Sequence, residues 1–387
     1  MLSNSHRLLV GIALAVLVTQ AAAGQSSLSH PASARQPASS APPAAVINRI
    51  ERAVSTAMSQ GHIPGLSTAI VTDRQLRWSN GYGMADLENF VPAKAATVYR
   101  LGSISKPITA TAIMQLVEQG KLDLDAPVQK YCSAFPPKRW PVTSRELLGH
   151  LGGVRHYTQK EEEAEYTSHF TSVADGLAIF KDDPLLAEPG TEFRYSSFGY
   201  NLLGCVVEGA SGQPFAAYLH EHIFVPAGMD HIQPDDVFQI ISNRARGYAL
   251  RPDGLVRNSD LMDSSYKIPS GGLSSTVIDL ARFAIAIQSG VLLKPETVSQ
   301  MFTSQKTRDG KATGYGLGWG VEDNAGVKAV SHSGGQSGTS TDLLMRPDRG
   351  LAVVVMCNLE GAHVSALARA LAQIVLQPEG SGATKPN

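Results

Sequence analysis

Strand-like runs sit near both ends of this chain, and the long stretch between them is of a different character. Leu66 to Val71 and Gln75 to Tyr82 read as a strand pair. Far along the chain, Lys328 to Gly334, Thr339 to Arg346 and Leu351 to Cys357 read as three more strands. Pro347-Asp348-Arg349-Gly350 is turn chemistry that joins the last two as a hairpin. Helices flank both groups. Val46, Ile47, Ile50, Val54 and Met58 recur at helical spacing before Gly61 and Pro64, and Val364, Leu367, Leu371 and Ile374 do so near the end. Another helix holds Ile108, Ala112, Ile113, Leu116 and Val117, with Gly120 as its end residue. From about Leu122 to Arg257 the chain is mostly helical and loop-like, and its clearest amphipathic helix carries Leu202, Leu203, Val206, Val207 and Ala210. The expected fold is therefore α+β: one antiparallel sheet closed by the two ends of the chain and covered by helices, with an all-helical lobe at about 122–257 inserted into it.

Outside that fold the composition changes. His6 and Arg7 precede an apolar run of eleven residues, Leu8 to Val18, followed by Ala21-Ala22-Ala23. Eleven residues are too few to cross a bilayer, which needs about 20, so residues 1–23 read as a signal peptide and the mature protein as periplasmic or secreted. Of the 22 residues from Gly24 to Ala45, 16 are Ser, Pro or Ala, too little apolar surface to offset ordering, so 24–45 reads as a flexible linker. Residues 46–376 form the folded domain, and 377–387 a loose tail. The charge, 33 Lys+Arg against 34 Asp+Glu, contains no basic run, so neither a nucleic-acid nor an anionic-membrane partner is expected, and no membrane span after cleavage. Three cysteines without a Cys-x-x-Cys exclude a disulfide-dense scaffold and give no thiol redox pair. Cys205 and Cys357 fall in apolar contexts and read as buried thiols; Cys132 lies in a loop-like stretch, without a readable role.

Two Ser-x-x-Lys tetrads occur, Ser103-Ile104-Ser105-Lys106 and Ser264-Ser265-Tyr266-Lys267. Only the first opens a helix, where residues i and i+3 share a face, and Pro107 is tolerated early in that helix. A helix N-terminus also offers N–H groups to a developing oxyanion. The second tetrad runs into Ile268-Pro269-Ser270-Gly271-Gly272, read as a loop, and is given a structural role. A serine hydroxyl needs a base to become a nucleophile. Lys106 can serve if burial lowers its pKa, and a tyrosine can share the work where a nearby cation favours its phenolate. Tyr195, in Phe193-Arg194-Tyr195-Ser196-Ser197, is the candidate. His332-Ser333-Gly334-Gly335 ends a strand, where backbone can present an N–H to a carbonyl oxygen and His332 a positive or donor group. The remaining signals are weaker. His150 and His156 read as satisfied loop histidines, and Trp78, Trp140 and Trp319 as packing, with Trp319 at the border of the cleft as the alternative. His220-Glu221-His222 lacks the spacing that puts two ligands on one helical face, and Gly314 to Gly320 is followed by no helix and no Gly-Lys-Ser/Thr. No metal and no cofactor are expected.

These motifs resemble, in order, those of the serine β-lactamase-like family, which takes in penicillin-binding D-alanyl-D-alanine carboxypeptidases, class C β-lactamases, related esterases and LACTB-type serine proteases. SISK at Ser103, YSS at Tyr195 (family pattern Y-x-N) and HSG at His332 (K/H-T/S-G) carry the likeness. GKLDLDAPVQKY from Gly120, LLGHLGGVRHY from Leu147, EPGTEFRYSSFGYNLLG from Glu188, PSGGLSSTVIDLARF from Pro269 and YGLGWG from Tyr315 extend it over nearly the whole folded region, and HLGGVRHY is most similar to the LACTB branch. The resemblance implies an α/β sandwich with a helical lobe. It makes Ser103 the acylated nucleophile, Lys106 its proton acceptor, Tyr195 the general base and acid, and the N–H groups of Ser103 and Gly335 the oxyanion hole. Substrates would be small acyl or peptide compounds, β-lactams or cell-wall peptides among them.

Three departures from the family pattern bear on activity. Ser197 replaces the asparagine of Y-x-N and loses its two-way amide contact. His332 replaces the lysine of the lactamase third motif and is only partly charged at neutral pH. Gly152 stands where H-T-S-G has serine. Efficient β-lactam hydrolysis is the activity these changes disfavour, and no S-D-N plus K-T-G set points to a class A enzyme. The leading reading is a secreted, peptidase- or amidase-like serine hydrolase. A carboxypeptidase or class C-type β-lactamase comes second and an esterase third. Outside enzymes, the alternative is a catalytically silent sensor that kept the fold.

Overall fold

A computed structural model of the chain describes residues 41–158, 168–324 and 327–377. The expected signal peptide, the linker up to Ser40 and the tail beyond Gln377 lie outside them. Helix α1 spans Ala44–Gly61, starting two residues before Val46 inside the stretch whose composition reads as linker, and it buries Val46, Ile50 and Val54.

Seven strands make the main sheet: β1 Gly65–Thr72, β2 Gln75–Asp86, β3 Val91–Pro92, β4 Gly320–Asn324, β5 Val327–Gln336, β6 Thr339–Arg346 and β7 Leu351–Cys357. Their order is β3-β2-β1-β7-β6-β5-β4, antiparallel throughout. The first three and the last four strands are each a meander. They join where β1 lies beside β7, from Leu66 opposite Cys357 to Val71 opposite Ala352. The chain ends thus close one sheet. Strand β7 is central and buried along its length. Val353, Val355 and Cys357 face α1 and the last helix, α7 (Val364–Leu376), while Ala352, Val354 and Met356 face the opposite core. Helices on both faces explain why Leu351 to Cys357 is an uninterrupted apolar run and not an alternating one.

On that opposite face lie α2 (Ser105–Glu118), α3 (Ser144–Leu148), α4 (Ser197–Ser211), α5 (Ile268–Gly271) and α6 (Val277–Gln288). Helix α2 is buried from Ser105 to Leu116, on all sides. That is why its apolar residues show little one-sided pattern: a helix wrapped by protein has no polar face. Gly120, two residues past its end, adopts φ +69° and turns the chain away. Among the described residues between α3 and the two-residue strand Gln233–Pro234 the chain is helices and loops, with α4 the longest helix; three-residue strands follow at Tyr248–Leu250 and Val256–Asn258. The segment after the second tetrad is not a loop: α5 is a single helical turn with Pro269 near its start.

Cys205 is not a thiol. It is bonded to Cys132, with their Cα atoms 5.5 Å apart across 73 residues of sequence. No short spacing marks such a pair, so only the fold brings the loop at Cys132 onto α4. Cys357, in β7, is the buried free thiol the sequence suggests. Trp319 is fully buried, stacked on Phe283 and edge-on to Phe302, and does not border the cleft.

Candidate active site

Ser103 sits in a tight turn, Gly102–Ile104, immediately before α2, and Lys106 is on the first turn of the helix. The turn presses against the glycines of β5. Gly102 has φ +53°, and a Cβ there would lie 2.8 Å from the Gly335 nitrogen; a Cβ on Gly334 would lie 2.0 Å from the Leu101 oxygen and 3.0 Å from the Ser103 nitrogen. Glycine at both places lets Ser103 approach the strand. Gln336 and Thr339 close a two-residue turn as a hydrogen-bonded pair, so the alternation of an antiparallel ladder makes Gly335–Ser340 a non-bonded pair and turns the Gly335 N–H away from β6. Strand β4 pairs with β5 only as far as Ser331, which leaves this N–H on an open edge beside Ser103.

Lys106 is fully buried, and its Nζ has three neighbours: Ser103 Oγ at 3.0 Å, Ser197 Oγ at 3.0 Å and the Ser270 carbonyl at 2.8 Å. Burial first, and the nearby Lys267 second, hold its pKa well below the ordinary lysine value. A neutral amine has two N–H donors and one lone pair. The Ser270 carbonyl can only accept and Ser197 can take the second donor, which leaves the lone pair for the Ser103 hydroxyl proton. The second tetrad's segment therefore takes part in the site through backbone: α5 is tied to α2 by Thr109 Oγ1 donating to the Pro269 carbonyl (2.6 Å) and by the Lys106–Ser270 bond.

Tyr195 lies across this cluster, with Lys106 Nζ 4.9 Å from its ring centre and its hydroxyl hydrogen-bonded to Ser103. Burial pushes the phenol up, and its bond to Ser103 offsets only part of that. The expected phenolate is therefore not favoured: the cation meant to stabilise it is itself driven neutral, and Tyr195 stays a proton-bearing phenol.

His332 also differs from expectation. Its Nδ1 lies 2.6 Å from the Ser333 carbonyl, which can only accept, so Nδ1 carries the hydrogen. Its Nε2 then accepts from the Tyr315 hydroxyl at 2.9 Å. Burial, with Lys106 nearby, lowers its pKa to about 3. The ring is neutral with both nitrogens engaged, and gives a substrate neither a positive charge nor a donor.

His150 and His156 do more than fill a loop. His150 Nδ1 accepts from the Ser196 N–H and His156 Nδ1 from the Ser197 N–H, both at 3.1 Å, so two successive amides at the start of α4 are capped by imidazoles. The same rings bracket Tyr195, His150 at 4.3 Å between ring centres and His156 edge-on at 5.5 Å. Burial holds His150 well below its ordinary pKa and brings His156 to about 4, which keeps both as acceptors. Ser196 caps α4 itself, accepting from the Gly199 N–H at 2.9 Å. The GHLGGVRHY segment contained these residues, but single-sequence spacing does not say that a loop histidine will meet a helix end 40 residues on. Gly152, in that segment, packs against Leu147.

A cavity of about 310 Å³ opens over Ser103, lined also by Tyr195, Tyr315, His332, Ser333 and Gly335. Larger hollows of about 490 and 870 Å³ are lined by other parts of the chain, without Ser103.

An antiparallel sheet sandwiched by helices, with a serine-lysine pair opening a buried helix beside the glycines of an edge strand, defines a hydrolase of the serine β-lactamase fold. The chain belongs to the β-lactamase family, whose model matches residues 50–376. It is 31% identical to the human serine beta-lactamase-like protein LACTB, mitochondrial, over 80% of this chain and 76% of that protein. Among solved structures, the octameric penicillin-binding protein homologue from Pyrococcus abyssi is 29% identical with a TM-score of 0.74, covering 85% of this chain and 77% of that one. The D-amino acid amidase of Ochrobactrum anthropi SV3 has the same TM-score over 85% of this chain and 98% of its own, at 21% identity, a likeness of fold alone.

Proposed function

We propose that the chain is a peptidase- or amidase-like serine hydrolase that forms a covalent acyl-enzyme on Ser103. The observation that carries this reading is the hydrogen-bond arithmetic at Lys106, whose remaining lone pair is directed at the Ser103 hydroxyl. Ser103 Oγ attacks the substrate carbonyl carbon as its proton passes to Lys106 Nζ. The carbonyl oxygen becomes an oxyanion held by the N–H groups of Ser103 and Gly335. Tyr195 gives its hydroxyl proton to the departing amine or alcohol as it takes one from Lys106, which ends neutral again. Water then attacks the acyl carbon, its proton follows the reverse path, and Ser103 is released with a carboxylic acid product.

β-Lactam turnover is disfavoured, because the position that supplies a lysine in the lactamases is held by a neutral, fully bonded His332. The Cys132–Cys205 bond supports the periplasmic or secreted location, since such bonds persist in oxidising compartments.

The test is intact mass after reaction with an alkyl fluorophosphonate and, separately, with benzylpenicillin, beside Ser103→Ala. A fluorophosphonate adduct confined to the Ser103 protein, with little or no penicilloyl adduct, is expected. An unlabelled Ser103, or labelling that survives the substitution, refutes the reading and favours a silent binding protein.

A further inference from the structure

The catalytic cavity does not stop at the edge of the sheet. Beyond Ser331, strand β5 has no partner on its outer side among the described residues, and the cavity wraps around that edge. On the far side it is lined by Asp342 of β6 and by Ser365 and Arg369 of α7. The register explains how. Asp342 lies opposite Ser333 and alternates with Leu343, which belongs to the core on the Ser103 side. Asp342 and Leu344 therefore point to the other face, toward α7.

Asp342 is 3% exposed. Its Oδ2 accepts from the Ser365 hydroxyl, at the second residue of a 13-residue helix, and its Oδ1 has no hydrogen-bond partner among the described residues. Among the described residues the one cation that lines the cavity, Arg369, is engaged by Glu322 of β4. Counting Asp342 and Glu322 against Arg369 leaves one negative charge. A buried carboxylate oxygen without a donor is costly, and a cation entering the cavity would relieve it.

We propose that Asp342 binds a primary ammonium group of the substrate, so that the acyl compounds processed at Ser103 carry a free amine reaching over the β5 edge. The proposal deepens the hydrolase reading and rests on Ser103 as the nucleophile. It also fits the chemistry on the other side of the edge: the neutral His332 ring does not select a carboxylate, while Asp342 selects the opposite charge. Burial raises the Asp342 carboxyl to about 6, against the Ser365 bond and Arg369, which lower it, and with Glu322, which raises it. The site is thus anionic above about pH 6 and neutral below. His332, the titratable ring nearest on β5, is uncharged across that range.

The experiment uses two sets of alkyl fluorophosphonates with two-, four- and six-carbon tails, ending in a primary ammonium or in its N-acetyl form. The readout is the rate of Ser103 labelling by intact mass. At pH 7.5 the ammonium form of at least one length should react about 10- to 100-fold faster than its acetylated twin, the range expected for a charge-assisted hydrogen bond. In Asp342→Asn that ratio should fall to near one. A merely structural role for Asp342 would slow both forms and leave the ratio standing. The wild-type ratio should also fall as pH drops through about 6, a measurement that needs no variant to fold. Equal rates at every length, or a ratio that survives Asp342→Asn, overturn the ammonium site and leave the hydrolase reading intact. Labelling by neither set overturns both.

Discussion

The Cys132–Cys205 bond offers a quantitative check on how the helical region is held. The two residues are 73 apart in sequence. In the chain-entropy account, closing a loop of that size removes about 15 cal/mol/K from the unfolded chain, or about 4.4 kcal/mol at 25 °C. Both sulfurs are buried, Cys132 at 1% and Cys205 at 8% exposure. Cys357 is fully buried in β7 and cannot take a partner's place. The perturbation is Cys132→Ala, Cys205→Ala and the two together, compared with oxidised wild type by urea denaturation. With a slope of about 4 kcal/mol/M for a chain this long, the midpoint should fall by about 1 M. The double variant should lose little more than either single one, because all three lack the same bond. The start of α4 is held separately, by His150, His156 and Lys106 on Ser196 and Ser197. Activity per folded molecule should therefore stay within about twofold in conditions where the protein is folded. Midpoints that coincide with wild type would refute the cross-link as a structural element. Collapse of activity in a protein still folded would refute the independence of the α4 start.

Lys106→Met should lower the acylation rate by about 10³-fold or more, whereas Ser197→Ala, which removes one of three contacts to the amine, should cost about 10-fold; stopped-flow labelling of Ser103 measures both. Gly102→Ala places a Cβ 2.8 Å from the Gly335 nitrogen at a residue with φ +53°, and should cost about 10²-fold in kcat, as loss of an oxyanion donor does. His156→Phe leaves the Ser197 N–H without its acceptor and should lower kcat/KM about 10-fold, with partial recovery in His156→Asn, whose side-chain oxygen can accept; equal activity in the two variants would sink the capping role. Folded His156 titrates near 4, below the free value of about 6.5. The unfolded chain thus binds the proton first, and the stability this ring contributes is complete above about pH 6.5 and lost as pH falls toward 4. The acid side of the wild-type urea midpoint should soften in that window, and in His156→Asn it should soften less.

Much of the frame was legible because it rests on short-range pattern. Leu66 to Val71, Thr339 to Arg346 and Leu351 to Cys357 are strands close to where their apolar runs lie, and the placement of strands at both chain ends was enough to expect a single closed antiparallel sheet. Ser103 and Lys106 were legible because three residues of spacing at a helix start is a local fact. What escaped depends on long-range proximity. Nothing near Cys132 points to Cys205. The Ser270 carbonyl is backbone, and no residue type announces a backbone acceptor. His332 was read as partly charged because its neighbour Tyr315, 17 residues away, was not known to occupy its Nε2. Tyr195 as phenolate failed for the same reason in reverse: the rule that a cation favours a phenolate holds, but burial had already removed the cation's proton. Asp342 stands in a strand that is otherwise largely apolar or small, and only the register places it against α7 and the cavity.

The bases at the site share one electrostatic constraint. Lys106, His150, His156 and His332 all lie around Tyr195, and burial drives every one of them toward its neutral form. Four nitrogen bases packed together cannot all be charged in so dry a place, because each added proton raises the cost of the next. The arrangement is consistent only if the three imidazoles stay neutral as hydrogen-bond acceptors and one proton at a time visits the cluster. Lys106 is the member whose lone pair meets the Ser103 hydroxyl, and the Ser270 carbonyl is already in place to steady the ammonium it would become. In the proposed mechanism the serine proton is the one that visits the cluster. Tyr195, kept as a phenol and touching the same serine, can pass that proton on without ever carrying a charge through the pocket. A site organised around a single transient cation has no room on that side for a permanent one. The carboxylate of Asp342 lies instead across the β5 edge, where the proposed ammonium site would select a substrate without disturbing the proton in transit.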